Sequence, residues 1–165
     1  MLAKVLQINI SPGGLPKRPV HEARISPMGV EGDLHNHPEI HGGADKALLL
    51  IAKEAVDDLK TRGYPLFYGA MGENLTTQGL DYKSWRAGQR YRIGYDVIIE
   101  LTQPRGPCKA LHVYGESLPA DVYDKAVKAR DPRSPKWGMS GFYASVVKGG
   151  LILPGAPIML ISQDV

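Results

Sequence analysis

Glycine and proline set the frame for any fold this chain can take. Nineteen Gly and thirteen Pro among 165 residues interrupt it about every 8 to 15 residues, which leaves little room for long helices. Most pieces between the breaks have the alternating or β-branched apolar character of strands. The spacing predicts strands over 3–10, 21–25, 47–51, 73–77, 89–93, 97–103, 142–148 and 157–161, with tight connections at Gly94-Tyr95-Asp96 and Gly149-Gly150. Helical patterning predicts three short segments. The clearest is 53–62, where Ala55, Val56 and Leu59 share a face and Gly63 stands at the stop position; the others are 120–129, ended by Asp131-Pro132, and 107–114, ended by Gly115. Many short strands with a few small helices predict a mostly β fold. Specifically, they predict a closed or nearly closed β-barrel with helices packed outside, because closure removes unpaired strand edges. No repeat, linker or low-complexity tract divides the chain, so residues 1–165 read as one domain.

Composition narrows the function classes. The chain is 43% hydrophobic and 22% charged, and it has no apolar run near the roughly 18 residues that a membrane span requires. Residues 1–8 alternate apolar and polar side chains, unlike the continuous apolar stretch of a secretory signal, so no membrane or export role is expected. The single cysteine cannot form an internal disulfide, and a reducing cytoplasm is the simplest compartment. A net charge of +3, spread among 17 acidic residues, does not suggest duplex nucleic acid. With two Phe and two Trp there is also no stacking platform for single strands. A small anionic ligand suits this balance better.

Three segments carry potential chemistry. In Gln103-Pro104-Arg105-Gly106-Pro107-Cys108-Lys109, Pro107 suits the first position of a helix, which would put Cys108 in its first turn. The positive field of a helix start and the flanking Arg105 and Lys109 would favour the thiolate, the form that attacks electrophiles and binds metals. The competing view is a small buried hydrophobe, as most free cysteines are. His112, four residues on, would share a helix face with Cys108 and could act as its base. The second segment, 32–46, is a glycine-punctuated loop with His35, His37 and His41. Their spacing differs from the usual zinc patterns and Cys108 is the only thiol to complete a site, so solvated histidines are the simpler reading. The third, Gly69-Ala70-Met71-Gly72-Glu73-Asn74-Leu75-Thr76, permits close backbone approach ahead of a strand but lacks any nucleotide fingerprint.

In order and spacing, these pieces resemble the MOSC domain, named for the C-terminal domain of molybdenum-cofactor sulfurases and also found as small stand-alone bacterial proteins. The resemblance rests on Gly29-Val30-Glu31-Gly32-Asp33, His41-Gly42-Gly43-Ala44-Asp45-Lys46-Ala47, Gly72-Glu73-Asn74-Leu75 followed by Gly79-Leu80, Gly88 with Tyr91-Arg92-Ile93-Gly94, and Gln103 to Cys108. The stretch 138–161, with Gly141-Phe142-Tyr143, is similar to the family's closing hairpin.

The resemblance implies a β-barrel with a cleft for a molybdenum-bound pterin, the molybdenum cofactor, in which Cys108 gives a thiolate to the metal. It implies that Lys46, Asn74, Arg105 and Lys109 hold the pterin's phosphate and ring edges, and that His41 and Asp45 orient loop groups or lie near the small-molecule substrate. The implied activity is reduction of N-hydroxylated bases. The chain has neither the cysteines of an iron-sulfur cluster nor a dinucleotide fingerprint, so that activity requires a separate electron-donor protein. The alternative is a non-catalytic carrier of the cofactor, or of sulfur on Cys108. Exposed strands suit a homodimer, and pyridoxal phosphate is not expected of a single domain this small.

Overall fold

The structure, a computed structural model, describes residues 2–34 and 42–163. Eleven strands are present among them: β1 (Lys4–Ile10), β2 (Arg18–Val20), β3 (Ala23–Ser26), β4 (Gly29–Val30), β5 (Leu48–Ala52), β6 (Leu75–Gln78), β7 (Arg90–Ile93), β8 (Val97–Pro104), β9 (Phe142–Lys148), β10 (Gly150–Ile152) and β11 (Ile158–Ser162). Three short α-helices accompany them, α1 (Lys53–Thr61), α2 (Leu118–Val122) and α3 (Lys125–Lys128), with 3-10 turns at Ala44–Lys46, Tyr82–Ser84 and Lys109–Tyr114. The fold is therefore mostly β with a few short helices, as expected. No helix of the described residues is long and apolar enough to cross a membrane.

Eight strands form one sheet in the order β11-β7-β8-β9-β5-β6-β1-β2, and β10-β3-β4 form a second. All pairings are antiparallel except β5 with β6, whose right of way through α1 makes a strand-helix-strand unit. β5 is apolar and buried on both faces: Leu48, Leu50 and Ala52 enter the main core, while Leu49 and Ile51 join Val56 and Leu59 of α1 in a second cluster. The main core is braced by Trp85 and Trp137, each edge-on to Phe142 with ring centroids 6.0 and 5.7 Å apart.

The closed barrel expected from the sequence is not formed. The large sheet stays open, and its two ends meet only where Lys4 lies opposite Pro157 as an isolated bridge. Three backbone bonds surround that bridge, from Val5 N–H to Ala156 O (2.9 Å), Gly155 N–H to Val5 O (2.7 Å) and Ile158 N–H to Ala3 O (2.9 Å). Pro157 has no N–H to give to a ladder, and the edge of β1 beyond this point is occupied by β2, which pairs Ile8 with Val20.

Two helical expectations also change. The helix expected over 120–129 is broken at Tyr123 (φ −156°, ψ 143°), because the Asp124 side chain accepts a hydrogen bond from Val127 N–H at 2.8 Å and starts a new helix there. The helix expected over 107–114 is a 3-10 turn that begins at Lys109.

Candidate functional site

β8 delivers the cysteine loop. Its last residue, Pro104, pairs with Phe142 at the start of β9, and Arg105 N–H extends the contact by one bond to Gly141 O (2.9 Å). Gly141 has φ +95°, and a Cβ there would lie 2.7 Å from both Leu50 O and Ile51 Cγ1. Only glycine lets this turn press onto β5.

Arg105 is 3% exposed. Its guanidinium donates to Met71 O (2.7 Å) and Ser140 O (3.1 Å), so one side chain ties the cysteine loop to the 69–73 loop and the 138–141 turn. Its Nε–H and the neighbouring Ser140 Oγ are buried without a hydrogen-bond partner among the described residues. Glu73 lies close enough to feel the Arg105 charge. It is fully buried: Oε2 accepts from Gly69 N–H (3.0 Å) and Thr76 Oγ1 (3.2 Å), and Oε1 has no described partner. Burial pushes the Glu73 carboxyl above the usual carboxylate range, against the pull of those hydrogen bonds and of Arg105.

Cys108 is half-buried and is the chain's free thiol. It sits before the 3-10 turn rather than inside a helix, with extended backbone (φ −97°, ψ 169°), and its carbonyl accepts from Leu111 N–H (3.2 Å). A six-residue 3-10 turn has little of the aligned dipole of an α-helix. The helix-start field expected at the thiol is not supplied by this backbone. His112 is exposed, and its Nδ1 hydrogen-bonds with Glu116 O at 3.1 Å; a 3-10 turn stacks it over Lys109, not over Cys108.

The residue that gathers the site is Tyr143, which the sequence did not single out. It is paired with Leu49 of β5 on one side and Gln103 of β8 on the other. Lys46 Nζ lies 5.3 Å from its ring centroid, a cation-π contact. Its hydroxyl is pushed up mainly by burial and further by the charge of Cys108, with Arg105 opposing. Lys46 thus stands over this ring. Asp45 is exposed on the same turn as Lys46, and its carbonyl accepts from Thr102 Oγ1 (2.6 Å), which fastens that turn to β8. Lys109 is exposed beside the thiol.

Asn74, which the resemblance assigns to the pterin, is turned into the protein. It is 2% exposed; its Oδ1 accepts from Leu49 N–H (3.1 Å), and its Nδ2 donates to Asp33 Oδ2 (2.9 Å) and to Asn9 O (3.4 Å). Asp33 in turn accepts from Ser11 N–H (2.9 Å) and from Lys17 Nζ (2.6 Å), an ion pair whose side chains are 3% and 5% exposed. Lys17 was invisible from sequence, since an isolated lysine reads as surface. His41 lies outside the described residues, as do His35 and His37. Among the described residues no three of His, Cys, Asp and Glu stand together as a metal site.

Over the cysteine loop lies the junction of α2 and α3. A Cβ placed on Gly106 would sit 3.7 Å from the Tyr123 hydroxyl, and Arg130, just after α3, donates to Gln103 Oε1 (3.0 Å). Neither residue has a sequence signal that would have marked it.

The chain is 30% identical over 150 residues to the protein YiiM of Escherichia coli (strain K12), covering 86% of this chain and 60% of that protein. It is 30% identical over 142 residues to a protein named "Reductase" from Gibberella moniliformis, covering 84% of this chain and 23% of that one. The chain thus spans less than two thirds of the length of each of these relatives. Among solved structures, YiiM from Geobacillus stearothermophilus superimposes with a TM-score of 0.74 at 29% identity, covering 99% of this chain and 77% of that one. The MOSC domain profile matches residues 37–159. On sequence, fold and the order of its site segments, the chain belongs to the MOSC domain family.

Proposed function

We propose that this protein binds a molybdenum cofactor of the pterin type through Cys108 and acts as an oxidoreductase on N-hydroxylated compounds, with electrons supplied by a separate donor protein. MOSC domains are generally associated with molybdenum-cofactor proteins, and the name of the fungal relative favours reduction over other chemistry. The observation that carries the reading is the half-buried Cys108 thiol on a loop that Arg105 clamps to two neighbouring turns.

The donor set fits such a group. The described residues offer a metal one thiolate, the Cys108 sulfur, and no cluster of three His, Cys, Asp or Glu, so its remaining donors have to arrive with it, as they do for a pterin-borne metal. When bound, that group supplies two-electron redox chemistry. Lys46 and Lys109 are placed to pair with its anionic groups. Arg105 and Asn74, whose polar atoms face protein, shape the walls instead: Arg105 fixes the cysteine loop, and Asn74 fixes the Asp33 segment that leads into the loop of His41. Asp45 holds the Lys46 turn through its carbonyl. The Tyr143 hydroxyl, pushed up from its ordinary value near 10 by burial, keeps its proton at neutral pH. Removal of an N–OH oxygen as water consumes two electrons and two protons, which this chain's residues alone do not provide.

The test is metal analysis of protein made in a cofactor-competent host. Stoichiometric molybdenum that is lost in Cys108→Ser, together with turnover of an amidoxime under a chemical reductant, is the expected result. Wild-type protein without molybdenum overturns the reading. Molybdenum that is retained but passes to an acceptor protein, with no turnover, assigns the domain as a carrier.

A further inference from the structure

Arg130 holds a backbone conformation that arginine seldom takes. It follows α3 with φ 62°, the only positive φ of a non-glycine residue among those described. Its N–H donates to Val127 O (2.9 Å), and the next N–H, of Asp131, to Ala126 O (2.9 Å), a helix stop that glycine or asparagine makes more easily. Strain of this kind is found at sites where the side chain has a use. That side chain is exposed and gives one N–H to Gln103 Oε1 (3.0 Å); it has no carboxylate partner among the described residues. The nearest carboxylate in sequence, Asp131, is occupied by Arg133 through bonds of 3.0 and 2.9 Å.

The anchor is informative. Gln103 is the strand partner of Tyr143, the ring over which Lys46 stands, and Tyr123, between α2 and α3, packs over Gly106, two residues before Cys108. The α2–α3 segment thus packs against the loop that carries Cys108 and presents there a guanidinium with a free donor fork, the geometry that recognises carboxylate or phosphate.

We propose that Arg130 is a specificity-determining residue of this site, selecting substrates that carry an oxyanion, a carboxylate or phosphate, near the reacting group. The proposal rests on Cys108 as the reacting centre.

The experiment uses the cofactor-free protein and measures alkylation of Cys108 by iodoacetamide at fixed ionic strength with increasing inorganic phosphate or benzoate. Both anions slow the reaction in the wild type. In Arg130→Gly the half-protecting concentration rises about fivefold, the loss expected for one exposed ion pair, while the melting temperature stays equal or rises because glycine accepts this φ. Arg130→Lys falls between the two, because an ammonium keeps the charge without the donor fork. Absence of protection in the wild type, or the same half-protecting concentration in Arg130→Gly, overturns the proposal. So does loss of molybdenum from Arg130→Gly made in a cofactor-competent host, which would assign the anion to the cofactor. Wild-type protein that never holds molybdenum fails the cofactor reading alone, since protection by anions is scored without it.

Discussion

Replacement of Arg105 by methionine keeps the bulk of the side chain and removes its charge and its donors. Two charge-assisted bonds disappear, to Met71 O and Ser140 O, each worth about 1.5–3 kcal/mol. Both carbonyls lose a partner in a buried setting, and Glu73 loses its favourable charge. Methionine returns part of the loss through apolar packing, and Arg105 already tolerates one unbonded N–H, so the net cost is about 3–5 kcal/mol, as for breaking other buried charged contacts. A chain of this length loses roughly 2–4 °C in melting temperature per kcal/mol, which gives a fall of about 6–20 °C. Urea unfolding is the assay, with the midpoint falling and the slope unchanged. Alkylation of Cys108 in the native state gives a second readout, and it accelerates as the cysteine loop comes away from the 138–141 turn. Arg105→Lys falls between the two, because an ammonium cannot span both carbonyls. A midpoint within about 0.5 kcal/mol of wild type, with an unchanged alkylation rate, would show that Arg105 does not clamp the loop.

Glu73→Gln tests the burial of the carboxyl. Because its folded value is raised, the Glu73 contribution is full below the unfolded value near 4.5 and is lost as pH rises through the folded value. Wild-type stability should therefore fall over that window, and the glutamine variant should show a flatter profile; parallel profiles would refute the assignment. Asp33→Asn strands the buried Lys17 ammonium and should cost about 3–5 kcal/mol, while the double variant Lys17→Met/Asp33→Asn should recover much of it. Equal losses in the single and double variants would show that the pair is not coupled.

Much of the fold was legible because periodicity is local. β7 alternates exposed Arg90 and Arg92 with buried Tyr91 and Ile93, and β5 reads as a continuous apolar run; both follow from side-chain direction along a strand. Closure was not legible, since it depends on whether two distant edges can exchange hydrogen bonds, and Pro157 decides that only once it stands opposite Lys4. β2, β4 and β10 were too short to give a period. At the site, Cys108 was found from its neighbours, but residue type alone could not show which way Arg105 and Asn74 point. Both are polar residues in a glycine-rich loop context, and both turn inward to backbone. Tyr143 was missed for the opposite reason: an aromatic in an apolar strand looks like core, and its role appears only when β8 and β5 bring Gln103 and Leu49 alongside it.

The bridge between Lys4 and Pro157 also bears on how the chain reaches this state. It joins Lys4 to Pro157, residues distant in sequence, so its loop-closure entropy is met late, and contacts of this range slow folding. During synthesis the first half of β1 must wait, with the edge that will meet residues 155–158 unsatisfied, until those residues have been made. An unpaired strand edge is the feature through which nascent chains associate with one another. The yield of soluble protein in a cell should thus depend on residues 155–158 more steeply than their small share of the finished core would suggest.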